Sequence, residues 1–295
     1  MAWFAQHLTE TAIWHQVEYL QQRTRYDQLY IEGGVALNCV NNSQILRRSR
    51  FKDVQVGFAA SDTGVAIGAA AHTLYQDGQL VPDTITPYLG PAYCNDEISA
   101  ALQQHVGVVT FEQLAEDELL QRVTAHLMNK KIVGWFQGRM ESGPRALGNR
   151  SILASPLFED MKDIINAKVK YREPFRPFAG VVVESEAGNY FELGKKDASP
   201  FMTFVFDVKP EHRAKVLSAL HVDDTSRLQT VNEQQNPKLY RLLKVYGAVS
   251  GAPCLINTSF NVAGEPIVCS PTDAIRTFLN SGIDVLVLGD HLVTK

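Results

Sequence analysis

The stretch APCLINTSFNVAGEPIV, residues 252–268, changes character in its middle. Ala252-Pro-Cys-Leu-Ile256 is short and apolar, the pattern of a buried strand. From Asn257 to Glu265 almost every side chain is small, polar or absent. A loop of this kind suits a capped turn. It also suits an anion, because backbone N–H groups, Ser259 Oγ and the Asn257 or Asn261 amide can converge on phosphate oxygens. The rest of the chain has to decide between the two.

Outward from this strand, the order of elements predicts an α/β protein. Trp3, Phe4, Leu8, Ala12, Ile13, Val17 and Leu20 recur at helical spacing, so the chain opens in an amphipathic helix whose apolar face needs a partner. Gln28–Glu32 reads as a strand running into Gly33-Gly34, followed by a helix from Asn38 to Arg50. Val54–Phe58 alternates like a strand, Ser61–Gly64 is a turn, and the Ala-rich segment from Val65 to Tyr75 is helical. Asp77–Gly90, with Gly78, Pro82, Pro87 and Gly90, reads as a linker, which places a boundary between segments 1–86 and 87–295. Beyond it, helices are expected at Asp96–Val106, Asp117–Met128, Pro237–Tyr246 and Pro271–Leu279, the last with Ser270 as N-cap. Strands are expected at Ile132–Phe136, Val181–Val183, Phe201–Val208 and Ile283–Leu288.

The 295 residues carry 28 basic and 32 acidic side chains, a net charge of −4, which argues against a dedicated nucleic-acid coat. Cys39, Cys94, Cys254 and Cys269 lie far apart and read as buried, reduced thiols of a cytoplasmic protein. No apolar stretch is long enough to span a bilayer, so no membrane partner is expected. Against this acidic background the strings GRMESGPRALGNRSILASP and NAKVKYREPFRPFAG crowd Arg139, Arg145, Arg150, Lys168, Lys170, Arg172 and Arg176 among glycines, prolines and phenylalanines. Guanidinium groups in such rigid surroundings are positioned rather than loosely solvated, and their planar fork fits phosphate and carboxylate. The competing reading is an Arg–Glu network through Glu141 and Glu173. Basic groups outnumber acidic ones here, which favours an anion site. Lys170-x-Arg172 and the Ser259-x-Asn261 loop are then complementary halves of one phosphate site, the first supplying charge and the second neutral donors.

Lys170-x-Arg172 with a downstream S-x-N-x-x-G (Ser259, Asn261, Gly264) is similar to the YrdC/Sua5 fold family, which makes carbamoyl-adenylates from ATP. The longer strings GRMESGPRALGNRSILASP, KYREPFRPFAG, HVDDTSRLQTV and NTSFNVAGEPIV resemble the C-terminal domain of NodU/CmcH/TobZ-type O-carbamoyltransferases. EGGVALNCVNNSQIL and AASDTGVAIGAA resemble the end of the Kae1-like, actin/Hsp70-type domain of the same enzymes. The resemblance implies a partial Kae1-like lobe followed by a YrdC-like twisted α/β domain. It implies nucleotide contacts at Gly33, Gly34 and Asn38 and a metal ligand at Asp62. It gives Lys170, Arg172, Ser259 and Asn261 the catalytic roles, with Arg139, Arg145, Arg150, Arg176, His221 and Arg227 as substrate- or nucleotide-binding candidates. The implied substrates are carbamoyl phosphate, ATP with Mg²⁺ and a small-molecule hydroxyl acceptor.

The chain looks like roughly the C-terminal half of a family member. It has no H-x-x-x-H, so the Fe²⁺ or similar divalent metal of a complete Kae1-like domain is not expected to be retained without a separate N-terminal-half chain. A non-catalytic nucleotide-binding fragment, a split-enzyme subunit and a tRNA threonylcarbamoylation-type module are the alternatives. Four positions depart from the family pattern: Asp224 in place of Gly, Ser142 in place of an aromatic, Ser155 in place of Asp and Gly180 in place of Pro. Of these, Asp224 would add negative charge beside the anion site.

Overall fold

A computed structural model describes residues 1–80 and 86–295. Pro82 of the expected linker lies outside the described residues. In chain order the elements are α1 (Ala2–Arg23), β1 (Gln28–Ile31), α2 (Cys39–Arg48), β2 (Asp53–Val56), α3 (Thr63–Gln76), α4 (Asn95–Gln103), β3 (Thr110–Gln113) and α5 (Glu116–Met128). They continue with β4 (Val133–Phe136), β5 (Arg150–Ala154), α6 (Met161–Ile165), β6 (Ala179–Val183), α7 (Glu184–Tyr190), β7 (Phe191–Glu192) and β8 (Val205–Val208). The chain closes with β9 (Thr225–Val231), α8 (Pro237–Ser250), β10 (Cys254–Ser259), α9 (Pro271–Leu279), β11 (Val285–Leu288) and β12 (His291–Thr294).

The fold is α/β. β1 and β2 pair in parallel as a two-stranded sheet. The other strands form a mixed ten-stranded sheet in the order β3-β12-β11-β4-β5-β10-β6-β9-β8-β7. β10, the apolar run that opened the reading, lies inside this sheet between β5 and β6, antiparallel to both. Its side chains alternate between two buried layers, as the strand period of two requires. Ile256, with Ile152 and Ala154 of β5, packs on Met161, Ile165, Ala274 and Phe278 of α6 and α9. Leu255, with Val181, Val183 and Val231, packs under Leu119, Val123, Leu239 and Tyr246 of α5 and α8. Burial on both faces is why the strand reads as a continuous apolar run.

A third apolar cluster joins the first segment to the large sheet: Val17, Ile45, Phe51 and Val54 meet Phe204, Phe206, Val208 and Leu228. Polar ties reinforce it, with Asn42 Nδ2 donating to Thr203 O at 2.9 Å and Ser43 Oγ donating to Val205 O at 2.9 Å. The apolar face of α1 is only partly used. Val17 is buried and Ile13 and Trp14 pack against the cluster, but Trp3, Phe4 and Leu8 are exposed.

Several expected elements shift. The polar string begins inside the sheet, since β10 extends to Ser259 rather than ending at Ile256. β5 and β9 were not expected as strands, and the strand expected at Phe201–Val208 begins only at Val205. The α9 N-terminus matches its expected cap: Asp273 N–H donates to Ser270 Oγ at 3.2 Å and Ser270 N–H to Asp273 Oδ2 at 3.0 Å. The reading of four buried thiols is corrected. All four are free, but Cys254 alone is buried, Cys39 and Cys269 are half-buried, and Cys94 is exposed at the start of α4.

Candidate functional site

Lys170 owes its place to an irregularity. α6 runs into a single π-helical turn, Asn166–Lys170, that stops at Tyr171 in the left-handed region (φ 45°, ψ 48°). Wide turns of this type recur at functional positions, and a left-handed tyrosine carries strain. The turn aims the Lys170 side chain at the end of β10. Its Nζ donates to Ser259 O (2.5 Å), Asn261 Oδ1 (2.9 Å) and Asn261 O (3.0 Å), with Ser259 Oγ at 3.2 Å. Ser259 Oγ in turn donates to Asn261 Oδ1 at 2.7 Å. Lys170 is 6% exposed, and no carboxylate is among its partners. Burial, and secondarily the charge of Arg172, pushes its pKa down to about 7. The basic and hydroxyl halves of the expected site are therefore in direct contact.

Arg172 is held by Asn166. Its Nε donates to Asn166 Oδ1 at 2.8 Å, and its guanidinium lies 4.7 Å from the Phe178 ring centre. Arg227 comes from β9 on the far side of β6, half-buried, with an Nε that has no hydrogen-bond partner. Burial, then repulsion from Arg145 and Arg172, lowers its pKa to about 10, while the Cys39 thiol acts the other way. Arg145 sends Nη2 to Leu37 O at 3.4 Å and also has an unpartnered Nε. Among the described residues, none of Arg145, Lys170, Arg172 and Arg227 takes part in an ion pair. His221 adds a buried Nε2 without a partner, its Nδ1 lying 3.1 Å from Thr225 Oγ1, and burial lowers its pKa. Cations gathered without carboxylates are costly unless an anion joins them.

The sheet explains why these groups converge. On the Leu255 face, β10 continues through Asn257 to Ser259, and β9 presents Arg227 and Gln229 at alternate positions. The face is apolar beneath α5 and α8 and turns polar beyond them. Asn257 Nδ2 donates to Gln229 Oε1 at 2.7 Å, and Gln229 Nε2 donates to Leu147 O at 2.8 Å. Asp224 does not add a free charge to this cluster. It sits at φ 63°, a conformation glycine adopts without strain, and its carboxylate pairs with Arg213 at 3.0 Å.

Other expected residues lie apart or are otherwise engaged. Arg150 is fully buried; its guanidinium donates to the carbonyls of Gln137, Gly138, Asn149 and Pro91 and stacks 3.6 Å from the Phe136 ring centre. Burial lowers its pKa to about 10. This arginine ties strands and loops together through both terminal nitrogens, leaving only its buried Nε without a partner. Arg139 Nη2 donates to Leu89 O at 2.8 Å. Arg176 is exposed and lies 3.7 Å from Glu173, although its charge reaches Arg172. Of the Arg–Glu network considered from sequence, this loose contact is the only part present among the described residues, because Glu141 bonds backbone N–H groups instead. Sequence reasoning passed over Asn166 and Gln229. An asparagine four residues before Lys170 in a helix-like run was the available signal for the first, since such residues compete with helical hydrogen bonds.

In the first segment Gly33 adopts φ 91° and Gly34 opens a 3₁₀ turn. Asn38 caps α2, accepting from Asn41 N–H at 3.1 Å, and its Nδ2 donates to Gln6 Oε1 at 2.9 Å. Gly33 and Asp62 line a cleft of about 1330 Å³ between this segment and the large sheet, with Lys195, Lys196, Phe201 and Gln229 on the opposite side. The cleft does not include Lys170, Arg172, Arg227 or Ser259. Among the described residues no three His, Cys, Asp or Glu side chains gather as metal ligands, and one carboxylate does not fit a divalent transition metal.

A carbamoyltransferase C-terminus family model matches residues 124–295, and a carbamoyltransferase N-terminus model matches residues 1–71. The nodulation protein NolO of Bradyrhizobium diazoefficiens is 40% identical over 98% of this chain and 53% of its own length. The 3'-hydroxymethylcephem-O-carbamoyltransferase of Amycolatopsis lactamdurans is 32% identical over 92% of this chain and 49% of its own. The chain spans about half the length of the curated relatives it matches. Among solved structures, Sua5 of P. abyssi is 15% identical with a TM-score of 0.43, covering 61% of this chain and 51% of that chain. HypF of T. kodakarensis gives 12% and 0.39, covering 79% and 40%.

Proposed function

The chain belongs to the carbamoyltransferase family, and on that footing we propose that its large-sheet region makes carbamoyl-adenylate from carbamoyl phosphate and ATP carried with Mg²⁺. Water first cleaves carbamoyl phosphate into carbamate and inorganic phosphate. The carbamate then attacks the α-phosphorus of ATP, giving carbamoyl-adenylate and pyrophosphate. Nucleotidyl transfer depends mainly on holding oxyanions in place and neutralising them, which is what a carboxylate-free group of cations does.

One observation carries this reading: Lys170 grips the Ser259–Asn261 loop, the charges of Lys170, Arg172, Arg227 and Arg145 reach one another in turn, and none of the four is in an ion pair among the described residues. In the proposed roles Lys170, Arg172 and Arg227 take phosphate oxygens, and Ser259 Oγ and Asn261 orient them. On binding, Lys170 exchanges carbonyl acceptors for an anion. Arg145 reaches the same oxygens from the side of the first segment. Arg176 and His221 border the group, and Arg150 and Arg139 serve the scaffold. The cleft lined by Gly33 and Asp62 is the proposed place of the second half-reaction, transfer of the carbamoyl group to a hydroxyl of a small molecule. Further metal ligands and acceptor contacts there are proposed to come from a segment equivalent to the other half of the longer relatives, supplied as a separate chain if need be. Segments 1–86 and 87–295 are the proposed units of these two half-reactions.

Calorimetry with carbamoyl phosphate and with ATP tests the assignment. Arg172→Ala should weaken binding by about 1.5–3 kcal/mol, the worth of a charge-assisted contact. Unchanged affinity for both ligands in Lys170→Ala and Arg172→Ala would remove it.

A further inference from the structure

The loop between β4 and β5 has almost no regular hydrogen bonding, yet it carries Arg145. Gly143 (φ 114°) and Gly148 (φ 110°) both occupy the left-handed half of backbone space, so the loop is intrinsically permissive. One carboxylate closes it. Glu141, 7% exposed, accepts on a single oxygen, Oε1, from Leu147 N–H (2.7 Å), Asn149 N–H (2.7 Å) and Arg150 N–H (3.3 Å). Its second oxygen is buried without a hydrogen-bond partner, and no cation pairs with it among the described residues. Backbone donors buried this way need an acceptor, and the carboxylate serves all three.

The closed loop is tied to residues 87 and 88, just past the segment boundary, and abuts the first segment at Phe58. Ser142 N–H donates to Pro87 O at 2.6 Å, and Tyr88 Oη donates to Leu147 O at 3.0 Å. A Cβ placed on Gly143 would lie 2.5 Å from Phe58 O, so the backbones touch there. At the loop's tip the one side-chain hydrogen bond of Arg145 among the described residues is its 3.4 Å contact with Leu37 O, while the charges of Arg145 and Arg227 repel. An arginine pushed outward by a like charge stays in place only if its backbone is fixed.

We propose that Glu141 is a positioning residue: by gathering the three N–H groups it closes the 141–150 loop and holds Arg145 in the basic cluster, ready for a phosphate oxygen. The inference rests on the anion-site reading above and adds a residue that never touches the ligand. Glu141 acts through Arg145, so its effect on binding must vanish when Arg145 is absent.

The test is a double-mutant cycle read by calorimetric titration of the full chain with inorganic phosphate. Glu141→Ala should weaken binding about tenfold, as loss of a charge-assisted contact does. Glu141→Gln, which keeps one acceptor oxygen, should restore most of the affinity. Arg145→Ala should weaken binding to the same degree, and adding Glu141→Ala to it should cost nothing more. If Glu141→Ala fails to fold, Glu141→Asp, too short to reach the three N–H groups together, carries the same comparison. Wild-type affinity in Glu141→Ala, or an undiminished loss in the Arg145→Ala background, would overturn the proposal. Unchanged phosphate affinity in Lys170→Ala and Arg172→Ala is a different failure, because it removes the anion site itself.

Discussion

Lys170→Met isolates the cost of keeping an ammonium group buried beside neutral acceptors. In the folded protein the Lys170 pKa lies at about 7 against an ordinary 10.5, chiefly because of burial. Between those values the unfolded chain holds a proton that the folded chain does not, so unfolding takes up a proton and stability rises with pH. Below about pH 7 both states are protonated and the penalty is present in full. A single proton gives a slope of about 1.4 kcal/mol per pH unit, or on the order of 4 kcal/mol between pH 7 and 10. Methionine has similar reach and no charge. The two proteins should therefore differ in slope: wild type should gain stability relative to Lys170→Met as pH rises from 7 to 10. Urea unfolding at each pH unit, fitted for both proteins, gives the difference. Sulfate, whose charge is constant over this range, should lose affinity for the wild type as pH rises through 7, because a bound anion favours the ammonium form. Parallel stability curves for wild type and Lys170→Met would refute the buried, unpaired lysine and the reasoning built on it.

The scaffold and the site should separate under mutation. Leu255→Ala opens a cavity beneath α5 and α8 where Leu255 is fully buried, so thermal or urea unfolding should show a loss of about 2–5 kcal/mol. Arg150→Ala removes a donor from four carbonyls, of which Asn149 O and Pro91 O keep a backbone N–H, and unfolding should register a large loss of stability. Arg172→Ala should do the reverse, lowering carbamoyl phosphate affinity in calorimetry with little effect on the unfolding midpoint.

The sequence made β10 legible because both of its faces are buried in apolar layers. It hid β5 and β9 for the opposite reason. Ser151 on β5, and Thr225, Ser226, Arg227 and Gln229 on β9, are polar side chains within or beside the core, so no alternation of apolar and polar residues marks these strands. The contact between Lys170 and the Ser259–Asn261 loop was readable because charge and neutral donors occur as two compact motifs. The approach of Arg145 to Arg227 was not, since it depends on a loop that abuts the first segment and on the register of β6 with β9. Arg150 looked like its neighbours in the motif, and only the packing of strand ends shows that its terminal nitrogens are engaged by carbonyls. Asp224 shows the same limit from the other side: its left-handed backbone is not legible in the sequence, nor is the Arg213 partner that takes up its charge.

The central claim is that the cluster around Lys170 activates carbamate on the α-phosphorus of ATP. The most direct measurement is incorporation of labelled pyrophosphate into ATP by the purified chain, with Mg²⁺, in the presence and absence of carbamoyl phosphate. The account predicts exchange that requires carbamoyl phosphate and falls by at least about tenfold in Arg172→Ala. A folded chain that binds ATP and carbamoyl phosphate yet exchanges no pyrophosphate, or exchanges it equally well in Arg172→Ala, would contradict it.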